Sequence, residues 1–240
     1  MKKTAIFCLA MGDINKYKIC LSSVAKYGKK YKIPFFIATQ PQIYFINHFF
    51  EKFQCLQLLE EYDRVLYLDA DIIITPKARN IFEEYPDDQY LYAFNENFDA
   101  EHMNRDTWID MYDPDFEWPI YNNRKMYFNT GCILFSKKHL NLLNLIKQIK
   151  FTNKCFTIDA SEQTALNFAV SKNKIPFKSI DYSFNRMNLG KTDSENKRYN
   201  ADFIHYAGVC RYGNGNKQDV IKEDYCNLYA ETQNEDFKNK

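Results

Sequence analysis

One stretch limits what this chain can fold into more than any other. Residues 64–68 (RVLYL) read as a buried strand that runs without a break into Asp69-Ala70-Asp71. Two strand–helix units stand before it. Residues 4–10 (TAIFCLA) make a first apolar run that ends at Met11-Gly12-Asp13, and residues 15–28 then carry Ile19, Val24 and Tyr27 at helical spacing. A second strand is expected at 34–39 (PFFIAT), and a second, amphipathic helix over about 48–61. Runs that are apolar throughout, rather than alternating, mark strands covered on both faces. Strand, helix, strand, helix, strand at this spacing is a βαβ series, so the sheet it predicts is parallel and the class α/β.

Beyond Asp71 the residues Ile72-Ile73-Ile74 are short and extended, and 89–95 and 127–135 read as further strands. Helices are expected at about 136–149, 160–172 and 218–231, with a strand at 202–206. Residues 97–126 have little periodicity, and a loop of that length in a compact domain is usually functional. No linker, repeat or low-complexity block divides the chain. It is read as one domain over 1–232 with a frayed tail at 233–240.

A net charge of +1 gives no support for a nucleic-acid surface. The 18 Tyr and 20 Phe suit either a surface that stacks on sugar or base rings or an aromatic core. Seven cysteines without a C-x-x-C pair argue against a disulfide framework or zinc knuckle and for a reducing compartment. The apolar run after Met1 is too short for a secretory leader, and no stretch reaches the ~18 apolar residues of a membrane helix. The expectation is a cytoplasmic protein, with contact at a membrane surface left open.

A strand that ends in Asp-x-Asp sets two carboxylates at the carboxyl edge of a sheet, where open α/β folds bind ligands. Hard oxygen ligands there suit Mg²⁺ or Mn²⁺ shared with phosphate oxygens. Haloacid-dehalogenase-type phosphatases use the same frame. In them, however, the motif usually sits near the N-terminus, and a downstream Gly-Asp-x-x-x-Asp, usual there, is missing here.

Five segments in order resemble the GT-A glycosyltransferases, whose sheet is Rossmann-like, mixed and mainly parallel between helices, and in particular family 8. They are FCLAMGDINKY, EKFQCLQLLEEYDRVLYLDAD, YFNTGCILF, SEQTALNF and HYAGVCR. The resemblance implies transfer of a sugar from a nucleotide-sugar donor, expected to be a uridine diphosphate sugar. The acceptor, whether glycan, glycolipid or protein, stays open. It further implies that Asp69, Asp71 and His205 hold the metal, Mn²⁺ or Mg²⁺, and that Lys52, seventeen positions before Asp69, reaches the donor. Asp13 or Tyr17 would contact the base, although Tyr17 also reads as a helix-face aromatic. Ala70, Asn129, Thr130 and Gly208 would line the donor, and Glu162, Gln163 and Arg211 would act on the reaction. Three departures stand out: Glu162 replaces the family's Asp, Arg211 replaces its Lys, and Tyr212-Gly213 stands where Pro-Trp is usual. Retention of anomeric configuration is what the resemblance implies. Inversion stays open, with Glu96 or Asp99 as the base. A protein that binds nucleotide sugars without turnover is the other alternative.

Overall fold

In a computed structural model the apolar runs become β1 (Thr4–Leu9), β2 (Phe35–Ala38) and β3 (Arg64–Asp69). The structure describes residues 2–45, 47–96, 108, 111–113, 115–121, 124–151, 161–187, 198–208 and 216–238. Further strands are β4 (Ile72–Ile74), β5 (Leu91–Asn95), β6 (Ile120–Tyr121), β7 (Arg124–Lys125) and β8 (Phe128–Ser136). β9 (Phe177–Ser179), β10 (Arg186–Met187) and β11 (Phe203–His205) complete the set. The main sheet runs β2-β1-β3-β8-β5-β9. Its β1–β2, β1–β3 and β5–β9 pairs are parallel, whereas β8 is antiparallel to both β3 and β5. The fold is thus the expected mixed, mainly parallel α/β sheet flanked by helices. A small sheet, β10-β11-β4, stands beside it.

The helices are α1 (Lys18–Tyr31), α2 (Ile81–Glu84), α3 (Leu142–Lys147), α4 (Ser161–Lys172) and α5 (Lys217–Lys238). The last runs as helical backbone to Lys238, and residues 239–240 of the tail expected to fray lie outside the described residues. Along β3 the pleat sends Val65 and Tyr67 into one core layer and Leu66 and Leu68 into the other. Asp69, next in step after Tyr67, therefore belongs to the face covered by residues 48–60 and α4.

Residues His48–Glu60 are helical but wound as 3₁₀ turns, and they are not amphipathic as expected: Phe50 through Leu56 are all buried. Each face has a task. Phe50, Phe53 and Leu56 fill the core. Glu51 accepts the amides of Gln42, Ile43 and Tyr44, and Lys52 points into the site. Aromatic residues serve mainly as core, with Phe128, Phe135, Phe184, Tyr127 and Tyr206 almost fully covered. From the long loop, Tyr112 donates its hydroxyl to the Ser161 carbonyl at 2.6 Å, tying that loop to the start of α4. No helix among the described residues is long and apolar enough to cross a membrane.

At the end of β8, His139 folds back so that its Nδ1 accepts the Ser136 amide at 2.9 Å. The ring is 2% exposed, and its Nε2 has no hydrogen-bond partner. Burial pulls its pKa down from 6.5 to about 4. The folded state therefore holds the ring neutral while the unfolded chain takes up a proton. The resulting stability is present above pH 6.5 and is lost as the pH falls through about 4, up to about 3 kcal/mol in all. Urea unfolding from pH 7 downward should show a shallower loss in His139→Gln than in the wild type. Equal slopes would show that His139 does not carry this linkage.

Candidate active site

β3 delivers Asp69 at its carboxyl end, and a two-residue turn brings Asp71 to the start of β4. β11 pairs antiparallel with β4 so that His205 lies opposite Ile72, and the Tyr206 amide donates to the Asp71 carbonyl at 3.1 Å. This register is what carries a residue 134 positions away (205 − 71) to the Asp-x-Asp turn. One ligand atom from each of Asp69, Asp71 and His205 falls within 4.8 Å of the others. His205 Nε2 is 3.4 Å from Asp71 Oδ1 and 3.7 Å from Asp69 Oδ2.

These residues fit a divalent cation. Two carboxylates and an imidazole are the right donors for Mn²⁺ or Mg²⁺, and Asp71 Oδ1 is buried with no hydrogen-bond partner, an acceptor without a donor. Burial alone would raise the Asp71 carboxyl. When its ring is protonated, His205, together with the Lys217 ammonium 2.6 Å from Asp71 Oδ2, outweighs it and holds the group well below the usual carboxylate range. Gly131 makes room for the ring: a Cβ there would lie 2.2 Å from His205 Cε1.

Beside this trio Lys52 is 5% exposed. Its Nζ stands 3.3 Å from Asp69 Oδ1, 3.2 Å from Glu162 Oε1 and 3.3 Å from Thr130 Oγ1. Burial opposes the charge on Lys52, but Asp69 and Glu162 overcome it and raise the pKa. Glu162 Oε2 is buried and unpartnered. Gln163 accepts the Thr130 amide at 3.0 Å through Oε1 and donates through Nε2 to Glu96 Oε2 at 3.2 Å. Asn129 donates to Glu96 Oε1 at 2.8 Å. Both oxygens of Glu96 are therefore engaged by amides.

A cleft of about 740 Å³ joins these groups, and Tyr17, Lys52, Asp69, Ala70, Asp71, Asn129, Thr130, Glu162, Gln163, His205 and Gly208 all line it. Gly208 has a φ of +79°, a backbone turn that suits glycine. Asp13 is placed elsewhere. Its carboxylate accepts the Asn15 amide at 3.1 Å as the cap of the turn Ile14–Tyr17, and it does not line the cleft. A free carboxylate just ahead of a helical turn is drawn to the unpaired amides there, which accounts for the difference. Arg211 and Asp99 lie outside the described residues.

Three contributors carry little or no sequence signal. Tyr67 donates to Asp69 Oδ1 at 2.5 Å, and the two-residue period of β3 could have pointed to it. Lys217 opens α5 and pairs with Asp71. Asn185 touches His205 Nδ1 at 2.8 Å and has no sequence signal at all. Around the two ammoniums, Lys52 and Lys217, stand three carboxylates, Asp69, Asp71 and Glu162. The balance is one negative charge, which a divalent cation would turn to one positive charge facing the cleft.

Among solved structures, the chain is similar to a glycosyltransferase involved in glycosylation of the major capsid of PBCV-1. That match has 15% identity and a TM-score of 0.55, and covers 91% of this chain and 99% of that one. It is also similar to the galactosyltransferase LgtC, solved with donor and acceptor sugar analogs, at 17% identity and a TM-score of 0.56, over 93% and 96% of the two chains. The glycosyltransferase GlyE of Streptococcus pneumoniae TIGR4 matches at 15% identity and a TM-score of 0.59. There all of this chain covers 64% of the other, under two thirds of its length. At such identities the likeness is one of fold, the GT-A fold. No curated protein matches the chain. The family model of glycosyl transferase family 8 matches residues 13–211, most of the 240, from the first turn of the cleft to the arginine after Gly208, and the chain belongs to that family.

Proposed function

We propose that this glycosyltransferase moves a sugar from a uridine diphosphate sugar to a hydroxyl acceptor with a divalent cation, Mn²⁺ or Mg²⁺, held by Asp69, Asp71 and His205. The observation that carries the reading is the unpartnered Asp71 Oδ1, buried where two carboxylates and an imidazole converge. Bound there, the cation would supply Lewis-acid charge to the diphosphate. The family membership speaks against the phosphatase alternative.

The chain's own groups divide the remaining work. Lys52 and Lys217 line the cleft beside the carboxylates and offer fixed positive charge where the leaving diphosphate gathers negative charge. Arg211, by the family resemblance, would add a guanidinium that grips phosphate through two parallel bonds. Glu162 Oε2, without a partner, is a ready acceptor for a sugar hydroxyl. Asn129 and Gln163, oriented by Glu96, would fix the sugar's position. Retention is the favoured outcome: both Glu96 oxygens already accept amide hydrogen bonds, which lowers its readiness to serve as the base that inversion needs. In front-side attack the acceptor oxygen bonds the anomeric carbon on the face the phosphate leaves, and its proton passes to that phosphate. A cytoplasmic location belongs to the same proposal; the buried free thiols of Cys8, Cys20, Cys55 and Cys132 agree with it.

A panel of nucleotide sugars with Mn²⁺, read as release of the nucleoside diphosphate, tests the proposal. Uridine diphosphate sugars should be cleaved, and uridine diphosphate with Mn²⁺ should stabilise the fold by about 2.7 kcal/mol at a hundredfold excess over Kd. Binding without release from any donor would favour the non-catalytic alternative, and neither binding nor release would sink the reading. Within the cleft, Glu162→Ala and Gln163→Ala should lower kcat by about 10–10² with little change in nucleotide affinity, since they would face the sugar rather than the diphosphate. An equal loss of nucleotide affinity would move both residues out of the sugar subsite.

A further inference from the structure

His205 has two ring nitrogens, and only a nitrogen without hydrogen can ligate a metal. Which one is free follows from a chain of hydrogen bonds with fixed ends. At one end the Gly131 amide, which can only donate, lies 2.8 Å from Asn129 Oδ1. The Glu96 carboxylate lies 2.8 Å from Asn129 Nδ2. Turning the Asn129 amide over would face donor to donor and acceptor to acceptor, so a single orientation is allowed. Asn185 Nδ2 then donates to Asn129 Oδ1 at 3.0 Å, which leaves Asn185 Oδ1 facing His205 Nδ1 at 2.8 Å. An amide oxygen only accepts. Nδ1 must therefore carry the hydrogen, and Nε2, the nitrogen that faces Asp69 and Asp71, keeps its lone pair.

We infer that Asn185 is a positioning residue: with Asn129 and Glu96 it sets His205 in the Nδ1–H tautomer before any metal arrives, so that Nε2 is ready to ligate. The inference rests on the metal reading proposed above. Asn185 is fully buried and does not line the cleft, so it acts on the site through the two groups it bonds, His205 and Asn129. Its place follows from the fold. It ends the turn Tyr182–Asn185 just before β10, and β10 pairs with β11 so that Met187 lies opposite His205. The same Glu96 carboxylate orients Gln163 through its second oxygen. A single group thus fixes amides on both the metal side and the sugar side of the cleft. A merely space-filling asparagine would leave the imidazole free to place its hydrogen on either nitrogen.

The test reads the tautomer directly. In metal-free, ¹⁵N-labelled protein held where the imidazole is neutral, two-bond ¹H–¹⁵N correlations report the state of each ring nitrogen. The chain has four histidines, and His205→Ala identifies the signal. In the wild type, Nδ1 should appear as hydrogen-bearing and Nε2 as bare. Asn185→Asp keeps an acceptor beside Nδ1 and should keep that tautomer. Asn185→Leu removes the acceptor, should mix the tautomers, and should weaken Mn²⁺ binding with uridine diphosphate, read by electron paramagnetic resonance, by about 10–10²-fold. A hydrogen on Nε2 in the wild type overturns the inference, as does an Asn185→Leu protein with unchanged tautomer and unchanged Mn²⁺ affinity. If Asn185→Leu fails to fold, the wild type and Asn185→Asp still decide. A wild type with the expected tautomer that binds no Mn²⁺ would overturn the metal reading alone.

Discussion

Asp71→Asn should reduce turnover by about 10³ or more with only a modest loss of stability. The loss follows from the proposed role: removing a charged metal ligand takes away much of the stabilisation of the leaving diphosphate, which is the dominant electrostatic element of such a transfer. The stability expectation has a separate origin. Asp71 carries a buried oxygen that no protein donor satisfies, and it sits close to a second carboxylate, Asp69. Its charged neighbours outweigh those costs and hold the carboxyl below its usual range, so neutralising it forfeits that surplus, a loss limited because the partly exposed Lys217 left behind can turn to water. Thermal unfolding with and without Mn²⁺ and uridine diphosphate, alongside turnover, checks both halves. The variant should lose most of the ligand-induced shift. A large drop in stability with turnover intact would make Asp71 a structural partner of Lys217 and no more.

The parallel half of the sheet is legible in the sequence because strands buried on both faces must be apolar at every position. The runs before Gly12 and Asp69 satisfy that rule plainly. β9 and β10 are not legible, since ladders of two or three residues are too short to show a period. Residues 48–60 mislead for a related reason: from Phe50 to Leu56 every side chain is buried, so that stretch has no stripe and the pattern fixes neither its winding nor its faces. β2 reads as a buried strand, yet it lies at the sheet edge with Phe36 and Ile37 turned outward, because strand order is a long-range property.

The site divides along the same line. Asp69, Asp71, Lys52, Asn129, Glu162, Gln163 and His205 sit in short ordered motifs and meet in one cleft. Asp13 sits in an equally suggestive segment, but the local amide of Asn15 claims its carboxylate. Asn185 is invisible because its meaning depends on Gly131, Asn129 and His205, each brought near by sheet register and not by sequence distance. Chemistry that a segment carries in its own residues can be read from it. Chemistry that depends on what another strand lays beside it cannot.

Gly131 illustrates this and gives a sharp test. In the sequence it is the glycine of the YFNTGCILF strand. In the structure the His205 ring approaches it: an added Cβ would lie 2.2 Å from Cε1 and 2.9 Å from both ring nitrogens. The ring is 3% exposed and held by Asn185, so it has little room to retreat. Gly131→Ala must therefore displace either the ring or strand β8 by an appreciable fraction of an ångström. Overpacking of this kind costs about 1–3 kcal/mol of stability. A catalytic group misplaced by about 1 Å costs on the order of 10² in rate, so turnover and Mn²⁺ affinity should both fall by about 10² or more. Combining the substitution with His205→Ala separates the clash from any other strain in β8. With the ring removed, the added methyl has space, and Gly131→Ala should then cost almost nothing in stability, a coupling on the scale of directly contacting residues. Urea unfolding of the four proteins in this cycle gives the answer. An undiminished cost of Gly131→Ala in the His205→Ala background would mean that the methyl meets the strand or its neighbours, and that Gly131 was not reserved for the metal-binding ring.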